Sequence, residues 1–148
     1  MSVVNGKRNE SKIEFENTYF KLANSVDNLV EHNFYASTEL IARNDTFLKI
    51  RCESLEKLTD DLLYHIKIAN SIYPTCIGEW EERRVMMGKA IGICYAILTH
   101  YQRIMMRLQI PDNKYVDDIQ IVGKMINSLK AWRKSDNKLK EKFNNNTV

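Results

Sequence analysis

Hydrophobic residues recur along most of the chain at intervals of three and four positions, the period of one face of an α-helix. Four such patterns can be followed. The first extends from Ile13 to Val30 and the second from Leu48 to Ala69. The third extends from Trp80 to Leu108 and the fourth from Tyr115 to Phe143. Polar and charged residues fill the positions between, so each pattern predicts an amphipathic helix.

Residues that break helices separate most of these patterns. Pro74 has no backbone N–H and disfavours a helical conformation in the residue before it, so the second helix is predicted to end there. The third helix is predicted to begin after Gly78 and to end at Pro111, and the fourth to begin near Asp112. The junction of the first two helices is less marked. Both Asn44-Asp45 and the segment 37–39 (Ser-Thr-Glu) could cap the second helix.

Four helices of about 25 residues with short connections predict an all-α fold, an antiparallel four-helix bundle of up-down-up-down topology. Five glycines and two prolines are too few for a β-sandwich of 148 residues. The bundle is expected to occupy residues 10–136, with a disordered N-terminus at 1–9 and a basic, polar tail at 137–148. Asp136 falls where the heptad-like pattern of the fourth helix requires an apolar residue, so packing is expected to end near Ser135.

Charge is unevenly distributed. The net charge is +3, but residues 1–102 hold 12 basic and 14 acidic side chains, whereas residues 103–148 hold 10 basic and 5 acidic ones. A basic segment on a mildly acidic body suggests an acidic partner such as a nucleic acid. No apolar run reaches the roughly 18–20 residues that cross a bilayer, and no signal peptide is recognisable. Three widely spaced cysteines fit a reducing, cytoplasmic location.

Motifs for catalysis or for binding a metal or cofactor are not found. None of the three histidines has the Glu-x-x-His spacing of a carboxylate-bridged metal pair. Asp61 could orient His65 one turn away, and Cys76 lies beside Pro74 in a loop, but neither has an evident catalytic partner. Gly88 and Gly92 are interpreted as close-packing positions inside a helix. The sequence therefore predicts a non-enzyme without metal, cofactor or small-molecule substrate.

The strongest candidate site is basic. Lys130, Arg133, Lys134 and Lys138 lie on one side of the fourth helix. Trp132 continues the apolar pattern and is expected to anchor this helix, which would present the four cations as a rigid row suited to a phosphate backbone. The alternative is an ordinary solvated helix end.

Four further arginines are second-rank candidates for the same contact. Arg83 and Arg84 follow three glutamates, and pairing of Glu79 with Arg83 at i, i+4 would make them part of a salt-bridged helix surface instead. Arg103 and Arg107 lie one turn apart and could bind phosphate bidentately, or face solvent.

Several short motifs resemble the accessory variability determinant proteins of diversity-generating retroelements. The stretches "HIKIANSIY" from residue 65 and "EERRVMMGKAI" from residue 81 are similar to the end of the second and the start of the third helix in that family. Lys114-Tyr115 resembles the opening of its fourth helix, and Leu129-x-x-Trp132 followed by a basic residue resembles the later part of that helix. The resemblance covers roughly residues 12–136.

The resemblance implies a four-helix bundle that assembles as a homopentamer. It also implies a non-catalytic partner of the element's reverse transcriptase, one that binds the enzyme and its template RNA or cDNA through basic surfaces. A helical adaptor that contacts only proteins is the alternative. The two differ in one respect that can be tested, because binding by an adaptor would survive nuclease treatment.

Overall fold

The computed structural model describes the backbone of residues 5–145 and the side chains of residues 14–143. Four long helices and one short helix follow one another: α1 (Asn5–Glu31), α2 (Thr38–Arg43), α3 (Asp45–Ser71), α4 (Ile77–Leu108) and α5 (Val116–Asn145). A single 3₁₀ turn, Asp112–Lys114, precedes α5. No β-strand occurs in the described backbone, so the all-α prediction is confirmed.

The four long helices form a bundle in which sequential neighbours are antiparallel. The Tyr19 hydroxyl donates to the Thr59 carbonyl at 3.2 Å and joins α1 to α3. The Trp80 indole near the start of α4 donates to the Asp136 carbonyl near the end of α5 at 2.8 Å. At the opposite end, the rings of Tyr101 and Tyr115 lie 6.0 Å apart. An ion pair of Glu16 with Lys67, at 3.7 Å, places the start of α1 beside the end of α3. The indole contact likewise places the start of α4 beside the end of α5.

The apolar faces predicted from the sequence point into a common core. Leu22, Leu55, Leu62 and Leu129 are fully buried. Helix α4 contributes more than its predicted stripe, since Ile97 and Ile104 are also fully buried. This helix packs against both α3 and α5. A helix with two neighbours in a bundle needs a wider apolar face than a single stripe provides.

The junction between α1 and α3 combines both alternatives left open by the sequence. Ser37 caps the short helix α2, because its hydroxyl accepts a hydrogen bond from the Leu40 N–H at 3.2 Å. Asn44 occupies the N-cap position of α3. The first helix begins at Asn5, inside the segment expected to be disordered, while residues 1–4 and the side chain of Ile13 lie outside the described residues.

Helix α5 continues beyond the point where its packing was expected to end. Asp136 is 4% exposed, so the prediction that packing stops near Ser135 is wrong. The carboxylate is tolerated in an apolar position because Arg83 lies beside it, as described below. The helix then extends through the predicted tail to Asn145. Residues 146–148 of that tail lie outside the described residues.

Two further expectations concern glycines and membranes. Gly88 and Gly92 are exposed, and a Cβ atom built on either would meet nothing within 4 Å. The interpretation of both glycines as packing sites within the bundle is therefore wrong. Within the part of the chain that is described, none of the helices has the length and apolar character required to cross a membrane.

Candidate nucleic-acid interface

The four cations ranked first from the sequence form a row on α5, here called the α5 ridge: Lys130, Arg133, Lys134 and Lys138. The three lysines are exposed and Arg133 is half-buried. Among residues 14–143 no carboxylate forms an ion pair with any of the four. The ridge therefore presents uncompensated positive charge.

Tyr95 of α4 positions the first member of the ridge. The Lys130 ammonium donates to the Tyr95 hydroxyl at 2.8 Å and lies 5.4 Å from the centre of its ring. Neither contact pairs the ammonium with a carboxylate. Lys130 is thus held over the junction of α4 and α5 while its charge stays available to an anion.

Arg133 borders a shallow, open groove between α4 and α5. The groove has a volume of about 470 Å³ and is also lined by Glu81, Arg84 and Val85. It brings Arg84, a second-rank candidate, next to the ridge. Arg84 stacks 5.1 Å above Trp80 and donates to the Asn137 side-chain oxygen at 2.6 Å.

Trp132 is packed against the core but is only partly buried. Its ring meets Phe15 of α1 edge to face, with centroids 6.0 Å apart. The Arg83 guanidinium lies 4.9 Å from the centre of the Trp132 ring. Trp132 therefore joins α1, α4 and α5 at the end of the bundle that carries the ridge, the anchoring role expected of it.

Arg83, a second-rank candidate for phosphate contact, faces inward. Its side chain is 13% exposed, and its Nε lies 3.0 Å from Oδ2 of Asp136, which is 5% exposed. Its Nη1 donates to the Ile72 carbonyl at the end of α3 at 3.2 Å. The expected ion pair with Glu79 is not formed. Glu79, in the first turn of α4, instead accepts a hydrogen bond at 3.1 Å from the N–H of Thr75, which precedes the helix.

We call Trp80, Arg83, Trp132 and Asp136 the end clamp, because they join α3, α4 and α5 behind the ridge. The nearest atoms of Arg83 and Asp136 are not aligned as a hydrogen bond, so their contact is an ion pair alone. Burial raises the pKa of Asp136, although the positive charges of Arg83 and Arg84 act in the opposite direction. Desolvation therefore outweighs the ion pairing at this carboxylate.

Arg103 and Arg107 lie toward the other end of α4 and do not join the ridge. Their guanidinium carbons lie 5.4 and 4.3 Å from the centre of the Phe47 ring. Arg51 of α3 lies 5.4 Å from the same ring. Arg51 and Phe47 carry no signal in the sequence, since they approach Arg103 and Arg107 only when α3 and α4 pack antiparallel.

The remaining chemical candidates form local contacts. Nδ1 of His65 lies 2.7 Å from the backbone carbonyl of Asp61, so the Asp61 carboxylate does not orient this ring. The Cys76 thiol donates to the Glu79 carboxylate at 3.6 Å. Within residues 14–143 no three or more His, Cys, Asp or Glu side chains are grouped as metal ligands. Burial raises the pKa of Cys94 to about 12, which makes its thiolate inaccessible at neutral pH.

Comparisons of the chain with protein-family models, with curated proteins and with solved structures give no match. The charges, burial and contacts of this chain are therefore the basis for its function. Two basic surfaces stand out in the described residues, the α5 ridge and the arginines around Phe47.

Proposed function

We propose that the protein is a non-catalytic, RNA- or cDNA-binding helical bundle whose principal contact is the α5 ridge. The observation that carries the proposal is the row of four cations on one packed helix, none of them paired with a carboxylate in residues 14–143. Lys130 and Lys138 are eight residues apart, about 12 Å along the helix axis. A strip of that length can contact consecutive phosphates of one strand.

The end clamp supports this proposal because it fixes the helix that carries the cations. A charge on a frayed helix end would lose conformational entropy on binding, which reduces affinity. Here Trp132 and Asp136 tie the same stretch of α5 to α1 and α4. The ridge is therefore organised before any ligand arrives.

The biological context of the proposal comes from the resemblance to accessory variability determinant proteins. In that context the bundle binds a reverse transcriptase and its template, and assembles as a homopentamer. Four cations in one copy give only weak, salt-sensitive phosphate binding. Several copies in one ring would raise the effective concentration of such sites and make weak contacts useful.

An exposed apolar face on α4 favours a protein partner as the second candidate function. Val85, Tyr95 and Met106 are 53%, 46% and 80% exposed, and the bare backbone of Gly88 and Gly92 lies between them. Exposed apolar side chains of this kind are typical of protein-binding surfaces. Nuclease treatment separates the two candidates, since a protein complex without nucleic acid would persist.

The test is reversal of charge on the ridge. We expect Lys130→Glu, Arg133→Glu, Lys134→Glu and Lys138→Glu together to abolish binding to single-stranded RNA in fluorescence anisotropy. Each lost phosphate contact lowers the slope of log K against log salt by about 0.7, so replacing the four residues by glutamine should lower it by about 3. The glutamine variant also avoids the repulsion of glutamates one turn apart.

The matched control reverses four exposed lysines that form no ion pair with any side chain of residues 14–143: Lys21, Lys49, Lys57 and Lys89. This variant has the same net charge as the ridge variant but a different distribution. RNA binding by the control and not by the ridge variant, with equal helicity and oligomer size, supports the proposal. Equal loss in both variants would mean that net charge alone governs binding, and retention in the ridge variant would refute it.

A further inference from the structure

The arginines near the junction of α2 and α3 form a second basic site with a different construction. We call it the Phe47 cluster; it comprises Phe47, Arg51, His100, Arg103 and Arg107. Three guanidinium groups, from α3 and α4, lie 4.3–5.4 Å from the centre of one ring. Cation–π contacts reduce the freedom of each side chain. The three charges are thereby held around a single point.

No acidic side chain within residues 14–143 is paired with this cluster. Among residues 14–143 none of the three arginines forms an ion pair. Arg107 donates to the neutral side-chain oxygen of Asn44 at 3.4 Å. The Nε of Arg51 is buried and has no hydrogen-bond partner. A buried donor without an acceptor is uncommon and costs free energy.

The arginines of the cluster oppose one another and oppose the protonation of His100. Nη1 of Arg51 donates a hydrogen bond to Nδ1 of His100 at 3.5 Å. Burial, followed by the charges of Arg51 and Arg103, lowers the pKa of His100. Burial and the charge of Arg103 likewise lower the pKa of Arg51. An anion placed between these groups would relieve the repulsion and accept their hydrogen bonds.

The charge and compactness of the cluster indicate which anion fits. Guanidinium groups bind phosphate oxygens through paired, planar hydrogen bonds. An internal phosphodiester carries one negative charge, whereas a phosphate monoester carries about 1.5 to 2 at pH 7. Three guanidinium groups around one point match the monoester better, while a linear row such as the α5 ridge matches successive diesters.

We propose that the Phe47 cluster binds the terminal phosphate monoester of a nucleic-acid strand. This inference rests on the proposed function, because the strand is the nucleic acid that the protein is proposed to bind. Arg103 and Arg107 are exposed and supply the contact from α4. Arg51 is half-buried and adds a third positive charge from α3.

The test compares one single-stranded RNA of fixed sequence with a 5′-phosphate and with a 5′-hydroxyl. In fluorescence anisotropy we expect the full-length protein to bind the phosphorylated RNA about tenfold more tightly, the effect of one strong charge-assisted hydrogen bond. Arg103→Gln with Arg107→Gln should remove this preference. Lys57→Gln with Lys89→Gln, which removes the same charge elsewhere, should retain it.

The outcomes separate the two proposals. Equal affinity of the unmodified protein for both RNAs overturns the terminal-phosphate site while leaving RNA binding intact. Failure to bind either RNA overturns both proposals. In the glutamine ridge variant both RNAs should bind more weakly, and the preference for the phosphorylated one should persist. Loss of the preference in that variant would assign the terminal phosphate to the ridge and refute the inference.

A second measurement distinguishes a strand end from a free nucleotide. Adenosine monophosphate is titrated against the protein while the His100 imidazole signals are followed by NMR. We expect the short phosphorylated RNA to shift these signals at concentrations at least tenfold below those required of the nucleotide. If the nucleotide shifts the signals at the same concentration as the RNA, the site binds free nucleotides. If the phosphorylated RNA leaves the His100 signals unchanged, its phosphate binds elsewhere. Either result overturns the proposal.

Discussion

The α5 ridge and the Phe47 cluster are both basic, but they are built in different ways. The ridge is a row on one helix, three of its four members are lysines, and its order depends on the end clamp behind it. The cluster draws arginines from α3 and α4 and gathers them around one aromatic ring. Helical spacing alone produces the first arrangement, whereas only packing between helices produces the second.

This difference has a consequence for binding. A lysine ammonium acts as a point charge, and a row of them tolerates variation in the position of the phosphate. Guanidinium groups held on a ring offer fixed, planar donors and are sensitive to geometry. We therefore expect the ridge to provide affinity that depends on charge, and the Phe47 cluster to provide selectivity that depends on shape.

Trp80→Ala is expected to have the largest effect, because it truncates a buried side chain. The effect should be confined to the end of the bundle that supports the ridge. Trp80 is 3% exposed and donates to the Asp136 carbonyl. Truncation of a buried tryptophan costs about 3–5 kcal/mol, which urea unfolding would measure. Hydrogen exchange should show faster opening of the second half of α5, with RNA affinity reduced accordingly.

The conservative variant Trp80→Phe provides the control for this first prediction. It keeps most of the apolar volume and loses the indole N–H, for which we expect a cost of about 1–2 kcal/mol. Two results would show that the end clamp is not a local support of the ridge. One is a loss of stability in Trp80→Ala that is smaller than the loss in Trp80→Phe. The other is hydrogen exchange accelerated as much near Phe47 as in the second half of α5.

Exchange of arginine for lysine should have a moderate effect on RNA binding, and the effect should differ between the two basic surfaces. Arg51→Lys, Arg103→Lys and Arg107→Lys keep the charge of the cluster but remove its planar donors. We expect the roughly tenfold preference for a terminal phosphate to disappear, since one strong hydrogen bond provides a factor of that size. Arg133→Lys on the ridge should change RNA affinity by less than about twofold, because ridge binding depends on charge.

The decisive readout is the ratio of affinities for phosphorylated and unphosphorylated RNA. A preference retained in the triple lysine variant would show that the cluster acts through charge alone, and the contrast with the ridge would be lost. A large effect of Arg133→Lys on RNA affinity would also contradict the contrast, because it would show that the ridge requires guanidinium geometry.

The smallest effect concerns pH and is confined to the cluster. The pKa of His100 in the folded protein lies below its usual value of 6.5. As pH falls through 6.5 the unfolded chain binds a proton first, so stability decreases until the folded His100 also titrates. The free energy of unfolding, measured by urea titration, should therefore decrease less between pH 8 and pH 5 in His100→Gln than in the unmodified protein.

The matching NMR experiment follows the His100 pKa in Arg103→Gln. Removal of a nearby positive charge should raise this pKa toward its usual value. An unchanged pKa would mean that Arg103 does not act on His100. Lys134→Gln on the ridge is the control and should leave the His100 pKa unchanged, because the ridge lies near the other end of the bundle.

Much of the fold followed from local chemistry. The apolar periodicity of residues 48–69 and 80–108 predicted two helices whose inward faces are those observed. Pro74 and Pro111 marked the ends of α3 and α4 to within a few residues, because proline disrupts helical hydrogen bonding wherever it occurs. The row of cations on α5 was also visible, since helical spacing alone places its members on one side.

The errors share a physical cause. Asp136 was interpreted as the end of packing and Arg83 as a surface charge, because each is polar. The sequence does not show that the two side chains form an ion pair. Arg51 was overlooked for the same reason. An ion pair or a cluster between residues 50 positions apart depends on how helices align, and no local propensity encodes that alignment.

The sequence by itself determined four amphipathic helices, their approximate ends and the basic character of the last one, because these depend on residues within a few positions of one another. Only the tertiary structure decided which cations face outward. It turned Arg83 inward to Asp136 and left the α5 ridge without a paired carboxylate among the described side chains, residues 14–143. It also brought three arginines together around Phe47. Antiparallel packing is the physical reason, since it places the start of one helix beside the end of the next.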